Sequence, residues 1–160
     1  MTYADIIKKA LALYEDRENI AYFYGAKGQI LTDAMMDELI RQYQGAHFYK
    51  YDKNQLEEIK DWSWGKIGYD CSGFVGACVG APWDYSGKLW QQCSELSSVR
   101  ECKAGSLLYK PGHIGIDIGY GYCLHIPDEL HTVELVKNTQ PGFISGGQWS
   151  KADYALSNNL

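Results

Sequence analysis

Apolar side chains recur at helical spacing in three stretches of the first half of the chain. The first stretch covers residues 3–14 and ends at a charged cluster, so it predicts an amphipathic helix. The second follows Thr32 and Asp33, either of which can cap a helix. The third follows Asp52, which forms a capping-box pattern with Gln55. We therefore expect the first half of the chain to be mainly helical.

The second half changes from the helical repeat to the two-residue repeat of strands. Residues 71–79 are still apolar enough to form a buried helix, and a short helix is expected around Leu89 and Trp90. The predicted strands cover residues 106–109, 113–118, 122–126, 132–136 and 154–156. Residues 141–147 are predicted to be a loop. Helices followed by a meander predict an α+β fold, with N-terminal helices packed on a small antiparallel sheet.

Length and composition limit what the chain can be. Its 160 residues fit a single domain, and 46% of them are hydrophobic, which excludes intrinsic disorder. A net charge of −5 argues against nucleic-acid binding, because no basic surface is available for phosphates. No apolar run reaches the roughly 18 residues that a membrane helix needs. No secretory signal is visible at the N-terminus, so we expect synthesis in the cytoplasm.

The five cysteines are an odd number, so they cannot all pair within one chain. None forms a C-x-x-C motif or lies near a His pair at zinc-finger spacing, so we expect no structural metal site. We also expect no organic cofactor, because no motif in the sequence suggests one. Four of them are interpreted as buried, reduced thiols. Cys71 differs, because it opens a predicted helix directly after Asp70. Unpaired N–H groups and the helix dipole are expected to lower its pKa there and to favour the nucleophilic thiolate.

His113, at the start of a predicted strand, is the candidate base for Cys71. If Gly119-Tyr120-Gly121 is a three-residue hairpin loop, Gly115 lies opposite His125 and the two histidines share a face. His125 is then a diagonal neighbour of His113, about 7 Å away between backbones, and can orient its ring. A two-residue loop would place His125 on the opposite face, so this prediction depends on the hairpin register.

Three motifs follow one another along the chain. They are Asp70-Cys71-Ser72-Gly73-Phe74, Lys103-Ala104-Gly105-Ser106-Leu107 and His113-Ile114-Gly115-Ile116-Asp117-Ile118-Gly119. In their order and spacing they resemble the NlpC-type papain-like cysteine peptidases that cut bacterial cell-wall peptides, and the resemblance runs from about Tyr22 to Asp153. It implies a papain-like fold and an endopeptidase that hydrolyses an amide bond in peptidoglycan stem peptides.

The resemblance also implies roles for particular residues. Cys71 occupies the place of the nucleophile, His113 that of the base, and His125 that of the polar residue that orients the base. A tyrosine in a Tyr-x-Tyr-Gly loop contributes to such active sites, and Tyr22 is similar to it. We expect backbone N–H groups at the helix start to hold the oxyanion. The candidate substrate-binding and oxyanion residues are Tyr22, Asp70 and Ser72.

The chain departs from the family pattern in two ways. Tyr22 and Cys71 lie much further apart than is usual in the family, which predicts a helical insertion around residues 29–64 within a single catalytic domain over residues 1–160. The usual secretion signal and cell-wall-binding repeats are not seen. We therefore expect a phage or prophage lysin, or a catalytic domain excised from a longer protein, that acts on the cell wall after release.

Other hypotheses stay open. An N-acetylmuramoyl-alanine-type amidase or an acyltransferase would use the same three residues, because the pocket rather than the triad selects the substrate. A non-catalytic cell-wall-binding module is disfavoured, because all three reactive positions hold competent residues. His47 and His131 are interpreted as solvated, and Cys123 as a packing residue. The tryptophans, which line either a sugar-peptide groove or the core, are Trp62, Trp64, Trp83, Trp90 and Trp149.

Overall fold

The computed structural model describes residues 1–158, which contain five α-helices and nine strands. The helices are α1 (Tyr3–Glu15), α2 (Asp33–Gln42), α3 (Lys53–Ser63), α4 (Cys71–Val79) and α5 (Ser86–Gln91). The strands are β1 (Ile20–Tyr22), β2 (Lys27–Ile30), β3 (Ile67–Tyr69), β4 (Cys93–Ser97), β5 (Leu107–Lys110), β6 (His113–Gly119), β7 (Tyr122–His125), β8 (Glu134–Lys137) and β9 (Ser145–Trp149). None of these helices has the length and apolar character needed to cross a membrane.

The helices of the first half begin where their capping patterns predict. Thr32 accepts a hydrogen bond from a backbone N–H of the first turn at 3.1 Å, so Thr32 rather than Asp33 caps α2. Asp52 and Gln55 form the predicted capping box of α3. Each cap satisfies N–H groups that have no partner inside the helix, which explains why the chain turns into a helix at these residues.

Six strands form one antiparallel sheet in the order β4-β9-β5-β6-β7-β8. Helices α1 and α4 pack against β6 and β7. Large apolar side chains at this interface are Ile6, Phe74, Leu107, Ile114, Ile116, Leu124 and Trp149. Helix α4 is buried on nearly every side, which is why its sequence is apolar throughout rather than amphipathic. The arrangement confirms the predicted α+β fold, with helices packed on an antiparallel sheet.

A second sheet of three short strands brings the Tyr-x-Tyr-Gly loop to the start of α4. Its order is β1-β3-β2, and β1 pairs in parallel with β3 so that Tyr22 lies opposite Tyr69. Asp70 and Cys71 follow directly. The parallel pairing therefore brings Tyr22 to the site of Cys71, although the intervening chain is long. Strands β2 and β3 are short and each contains a glycine in place of a strand-forming side chain, so sequence patterns do not reveal them.

Between β2 and β3 the chain forms α2, α3 and a 3-10 helix over Phe48–Lys50. These helices lie within the range 29–64, and whether they are an insertion relative to the family stays a prediction. Their apolar faces enclose a second core with β1 and the residues around it. Its buried members are Ala21, Phe23, Ala26, Leu31, Met36, Leu39, Phe48 and Ile59. The segment is thus fastened to the strand that carries Tyr22.

Two predictions near the C-terminal end are wrong. Residues 154–156 are not a strand, and the segment 141–147, expected to be a loop, runs into β9. Strand β9 contains Gly146 and Gly147, which hide the two-residue repeat. A Cβ at Gly146 would lie only 2.6 Å from Cys102, and one at Gly147 would be almost as crowded. Close approach of neighbouring segments therefore requires glycine in this strand.

The β6–β7 hairpin reaches the predicted face through a different turn. Its loop has two residues, Tyr120 and Gly121, both with positive φ, rather than the three that were expected. A bulge at Ile118 adds one residue to β6. The bulge restores the register that a three-residue loop would have produced, and the side chains of His113 and His125 meet on one face.

Tyr154→Phe tests how the C-terminal residues hold β9. The buried Tyr154 hydroxyl donates to the carbonyl of Gly105 at 2.7 Å and accepts from the N–H of Trp149 at 3.0 Å. Loss of both bonds should lower the free energy of unfolding by about 1–3 kcal/mol in urea titrations. Tyr120→Phe, at an 80% exposed side chain, is the matched control. Equal stability of the two variants would contradict this role.

Candidate active site

Cys71 is the first residue of α4, and Asp70 holds the turn before it. The Asp70 carboxylate accepts a hydrogen bond from the N–H of Gly73 at 2.7 Å and so caps the helix. The N–H groups of Cys71 and Ser72 lie in the first turn, where no carbonyl of the helix can accept from them, and the N–H of Ser72 faces the Cys71 sulfur. The helix therefore begins at the predicted residue, with backbone donors beside the thiol that can bind a negatively charged oxygen.

His113 and His125 form a direct pair on adjacent strands. His113 Nε2 lies 2.8 Å from His125 Nδ1. The ring of Phe143 stacks on His113, with 5.2 Å between ring centres and 6° between the planes, and it packs edge to face on His125. These contacts fix the orientation of both imidazoles. Phe143 lies in the segment without a repeat, so no sequence pattern indicated its role.

The thiol of Cys71 lies beside the backbone that leads into His113. Its Sγ is 3.9 Å from the carbonyl oxygen of Gly112, to which it donates, and the N–H of Ile114 also faces the sulfur. Since His113 Nε2 contacts His125, Nδ1 is the nitrogen available to take a proton from the thiol. The structure thus shows the contact between the two histidines and places the sulfur against the backbone next to His113, and the catalytic roles of Cys71, His113 and His125 stay predictions.

The pKa of Cys71 moves in the direction opposite to the one expected. Burial raises it to about 11, and the negative charge of Asp70 adds to this effect. Hydrogen bonds from Ile114 and Ser72 and the positive charge of Lys27 lower the pKa, but they do not outweigh burial. The prediction of a lowered pKa is therefore wrong, because it considered the helix start and omitted desolvation. At neutral pH the resting residue is a thiol.

Both histidines are neutral at the same pH. Burial lowers the pKa of His113 to about 4, and the neighbouring His125 and Lys110 act in the same direction. Burial also lowers the pKa of His125 to about 4, with Lys110 and His131 adding to the effect and Asp128 opposing it. The resting site is a neutral thiol beside a neutral imidazole, so the proton has to move as the thiol attacks.

A buried network around Asp70 joins several parts of the site. Lys27 Nζ lies 2.8 Å from Asp70 Oδ1 and 2.8 Å from Ser72 Oγ. The Ser72 hydroxyl donates to Asp70 Oδ1 at 3.1 Å, and the N–H of Gly25 donates to Oδ2 at 3.1 Å. The side chains of Lys27 and Asp70 are only 11% and 12% exposed. Lys27 belongs to none of the sequence motifs, so sequence reasoning missed it.

The network changes what Asp70 and Ser72 can do. The Ser72 hydroxyl is engaged inside it, so its backbone N–H is the group that can face a substrate. Both oxygens of Asp70 hold neighbouring protein groups. The structure therefore gives Asp70 the task of positioning the nucleophile turn, and its contact with substrate stays a prediction.

Tyr22 lines the same cavity as Cys71 and is 7% exposed. Burial raises the pKa of its hydroxyl, and the negative charges of Cys71, Glu129 and Asp70 raise it further. The hydroxyl therefore stays protonated and can donate a hydrogen bond in the cavity. This position is compatible with the oxyanion role that the motif resemblance implies.

A cavity of about 490 Å³ opens over Cys71. It is lined by Tyr22, Tyr24, Gly25, Lys27, Tyr43, Asp70, Cys71, Ser72, Trp83, Tyr85, Ser86 and Gly112. His113 and His125 face an adjacent cavity of about 370 Å³, which shares Gly112 with the first. Together the two cavities form a surface that gives access to the nucleophile from one side and to the histidine pair from the other.

His47 is part of a buried cluster, contrary to the expectation of a solvated side chain. Its Nε2 pairs with the carboxylate of Glu129, to which the Tyr51 hydroxyl also donates at 2.8 Å. Burial raises the pKa of Glu129, but hydrogen bonds from His47, the backbone and Tyr51 outweigh it and lower the pKa below its usual value. The His47 ring stacks on Tyr24 with 4.0 Å between centres, so the cluster supports one wall of the cavity over the nucleophile.

Cys123 and His131 lie where they were predicted, whereas Cys93, predicted to be buried, is only partly buried. Cys123 is fully buried beside Cys102 and Phe143, and His131 is exposed and lies 2.6 Å from Asp128. The cysteines are all unpaired in the described part of the chain. In the same part, no group of three or more His, Cys, Asp or Glu side chains is placed to hold a metal ion.

Three solved structures share this fold. RipA, the resuscitation promoting factor interacting protein, in a variant mutated at one cysteine, matches with a TM-score of 0.56 and 14% identity over 92% of this chain and 63% of that chain. The P60 domain of an antigen from M. avium subspecies paratuberculosis matches with a TM-score of 0.53 and 14% identity over 92% of this chain and 96% of that chain. The peptidoglycan hydrolase RipB from Mycobacterium tuberculosis matches with a TM-score of 0.51 and 14% identity over 92% and 66%.

These matches confirm the papain-like, NlpC-type fold that the motifs predicted. The chain spans 63% of the length of the RipA chain. No protein-family model and no curated protein is matched by the sequence.

The alkylation rate of Cys71 should depend on pH as the raised pKa requires. With a thiol pKa of about 11, the rate with iodoacetamide should rise about tenfold per pH unit between pH 7 and 10, because only the thiolate reacts. Mass spectrometry of the Cys71 peptide gives the rate at this residue alone. A rate that is already constant below pH 8 would contradict the raised pKa.

Lys27→Met tests the electrostatic part of the network. It leaves the buried Asp70 carboxylate without its cation beside the sulfur, so the pKa of Cys71 should rise further. We expect alkylation at pH 9 to slow by about tenfold. Lys27→Arg keeps the charge and is the matched control, and thermal unfolding of both variants checks the fold. An unchanged rate in Lys27→Met would show that Lys27 does not influence the thiol.

Proposed function

We propose that the protein is a cysteine peptidase that hydrolyses an amide bond in peptidoglycan stem peptides. The observation that carries this proposal is the geometry around Cys71: a helix-opening thiol against the backbone that leads into the His113–His125 pair, within an NlpC-type fold. RipB, which shares the fold, is a peptidoglycan hydrolase. We infer that the protein acts on the cell wall after its release.

In the first half of the reaction, the sulfur of Cys71 attacks the carbonyl carbon of the scissile amide. A carbon–sulfur bond forms while His113 Nδ1 takes the thiol proton. The carbonyl oxygen becomes an oxyanion. The N–H groups of Cys71 and Ser72, with the protonated Tyr22 hydroxyl, are the donors available to it.

The tetrahedral intermediate then collapses. The carbon–nitrogen bond breaks, and the imidazolium of His113 gives its proton to the departing amine, which leaves a thioester on Cys71. A water molecule attacks the thioester with His113 as base. The carbon–sulfur bond breaks, the proton returns to the sulfur, and the product carboxylate leaves.

His125 acts on this sequence through His113. For Nδ1 of His113 to accept the thiol proton, its Nε2 must carry hydrogen and donate to His125 Nδ1, which lies 2.8 Å away. The pairing therefore selects the tautomer that the reaction requires and stabilises the imidazolium that forms. The stacked Phe143 prevents the His113 ring from rotating out of this position.

Purified peptidoglycan fragments incubated with the protein provide the test. Wild-type protein should release new peptide termini that mass spectrometry identifies. Cys71→Ala should lose at least about a thousandfold in rate, and His125→Ala roughly a hundredfold. Tyr120→Phe, on the exposed hairpin loop, should retain full activity.

The identity of the products separates the hypotheses. Cleavage within the stem peptide supports the peptidase, whereas Cys71-dependent release of intact stem peptides from the sugar would assign an amidase. If wild-type protein left fragments from several bacterial cell walls uncut, the proposal would be overturned. Equal activity of Cys71→Ala and wild type would overturn the mechanism.

A further inference from the structure

Two large aromatic side chains at the cavity over Cys71 are left open to solvent. Trp83 is 73% exposed and Tyr85 is 63% exposed, and both line this cavity. Exposed aromatic surface inside a cleft is typical of a binding surface, because it costs hydration free energy until a ligand covers it. Neither ring serves the catalytic steps described above, so another role has to explain them.

The exposure of Trp83 does not come from a loose loop. The N–H of Ala81 donates to the carbonyl of Gly76 at 2.9 Å, and the N–H of Asp84 donates to that of Ala81 at 3.2 Å. The Asp84 carboxylate accepts from Gln92 at 2.9 Å. The turn is thus tied to α4 at one end and to the residue that caps the C-terminus of α5 at the other, which holds the backbone that carries the indole.

The glycine at position 76 of α4 shows how closely this turn is packed. A Cβ on Gly76 would lie 2.4 Å from the carbonyl oxygen of Ala81. The turn that carries Trp83 is therefore seated directly on α4, the helix that begins with Cys71. The segments that carry the ring and the nucleophile are therefore packed directly on each other, as a subsite next to a reaction centre requires.

The surroundings of the two rings favour a ligand that is half apolar and half polar. A wholly apolar ligand needs an enclosed dry pocket, whereas Trp83 and Tyr85 remain largely wet. Tyr85 and Ser86, which both carry a hydroxyl group, line the same cavity. A pyranose ring has one face of C–H groups and an edge of hydroxyls. The C–H face can stack on an indole, while the hydroxyl edge forms hydrogen bonds to protein hydroxyls and water.

We propose that Trp83 and Tyr85 form a saccharide subsite, so that the preferred substrate is a stem peptide still linked to its sugar. The inference rests on the proposed peptidase function and specifies its substrate class. The apolar face of the sugar stacks on Trp83, and its hydroxyl edge meets the Tyr85 and Ser86 hydroxyls. The peptide portion extends from there to Cys71.

Matched substrates test the subsite in catalysis. One is a free stem peptide, and the other is the same peptide carrying its disaccharide. Trp83→Ala should lower kcat/KM for the sugar-linked substrate by about threefold to tenfold, the usual loss for one aromatic contact, and leave the free peptide unchanged. Trp83→Phe keeps an aromatic face and should retain most of the rate. Trp64→Ala removes a similarly exposed tryptophan, 63% exposed, from outside the cavity lining and should change neither value.

Binding of the disaccharide without peptide separates failure of the subsite from failure of the peptidase proposal. The disaccharide should quench tryptophan fluorescence in wild type and Trp64→Ala, and the quenching should disappear in Trp83→Ala, even if neither substrate is cut. The subsite proposal would be overturned if the disaccharide did not quench the fluorescence of the wild type, or if the quenching were unchanged in Trp83→Ala. An equal loss on both substrates would also overturn it, since Trp83 would then hold the peptide.

Discussion

The carboxylate of Asp70 is the group on which the geometry of the site depends. One oxygen caps α4 and contacts Lys27, and the other accepts the N–H of Gly25. A single buried side chain thus ties the helix that carries the nucleophile to the loop that follows Tyr22. Gly25 has a φ of +82°, and a Cβ there would lie 2.2 Å from the Tyr43 ring. The positive φ and the nearby Tyr43 ring therefore favour glycine at the position whose N–H binds the carboxylate.

The same carboxylate makes the nucleophile harder to ionise. Asp70 lies next in the chain to Cys71, and its charge adds to burial in raising the pKa of the thiol. Lys27, held 2.8 Å from Asp70, offsets that charge and allows the cap to be kept inside the protein, because a buried ion pair costs less than a lone buried charge. Cys71 is therefore a neutral thiol in the resting site, and His113 has to remove its proton during the attack. The Asp70–Lys27 pair thus holds the start of α4 in place, while the raised pKa keeps the Cys71 thiol protonated until a substrate binds.

Sequence patterns predicted the parts of the fold that are encoded locally. The caps at Thr32 and Asp52 and the alternation in β6 reflect neighbours a few residues apart, and each is confirmed. Strands β2, β3 and β9 are recognised only through their distant partners, and the glycines of β9 remove the apolar side chains that would mark it. The hairpin register was predicted correctly for the wrong reason, since a bulge at Ile118 replaces the third loop residue.

The candidate site divides in the same way. The cysteine, the two histidines and the tyrosine follow from motifs, and the fold brings them together around one pair of cavities. Lys27 and Phe143 were missed because their roles come from contacts with residues far along the chain. The upward shift of the Cys71 pKa could not be predicted from the sequence either, because desolvation depends on how deeply the folded chain buries the sulfur.

The measurement closest to the central claim is detection of an acyl group on Cys71 during turnover. An activated ester of the stem peptide makes formation of the thioester fast relative to its hydrolysis, and acid quenching followed by intact-protein mass spectrometry captures the adduct. The account predicts a mass increase equal to the acyl fragment, located on Cys71 and removed by hydroxylamine. Turnover with no adduct on Cys71, continuing in the Cys71→Ala variant, would contradict it.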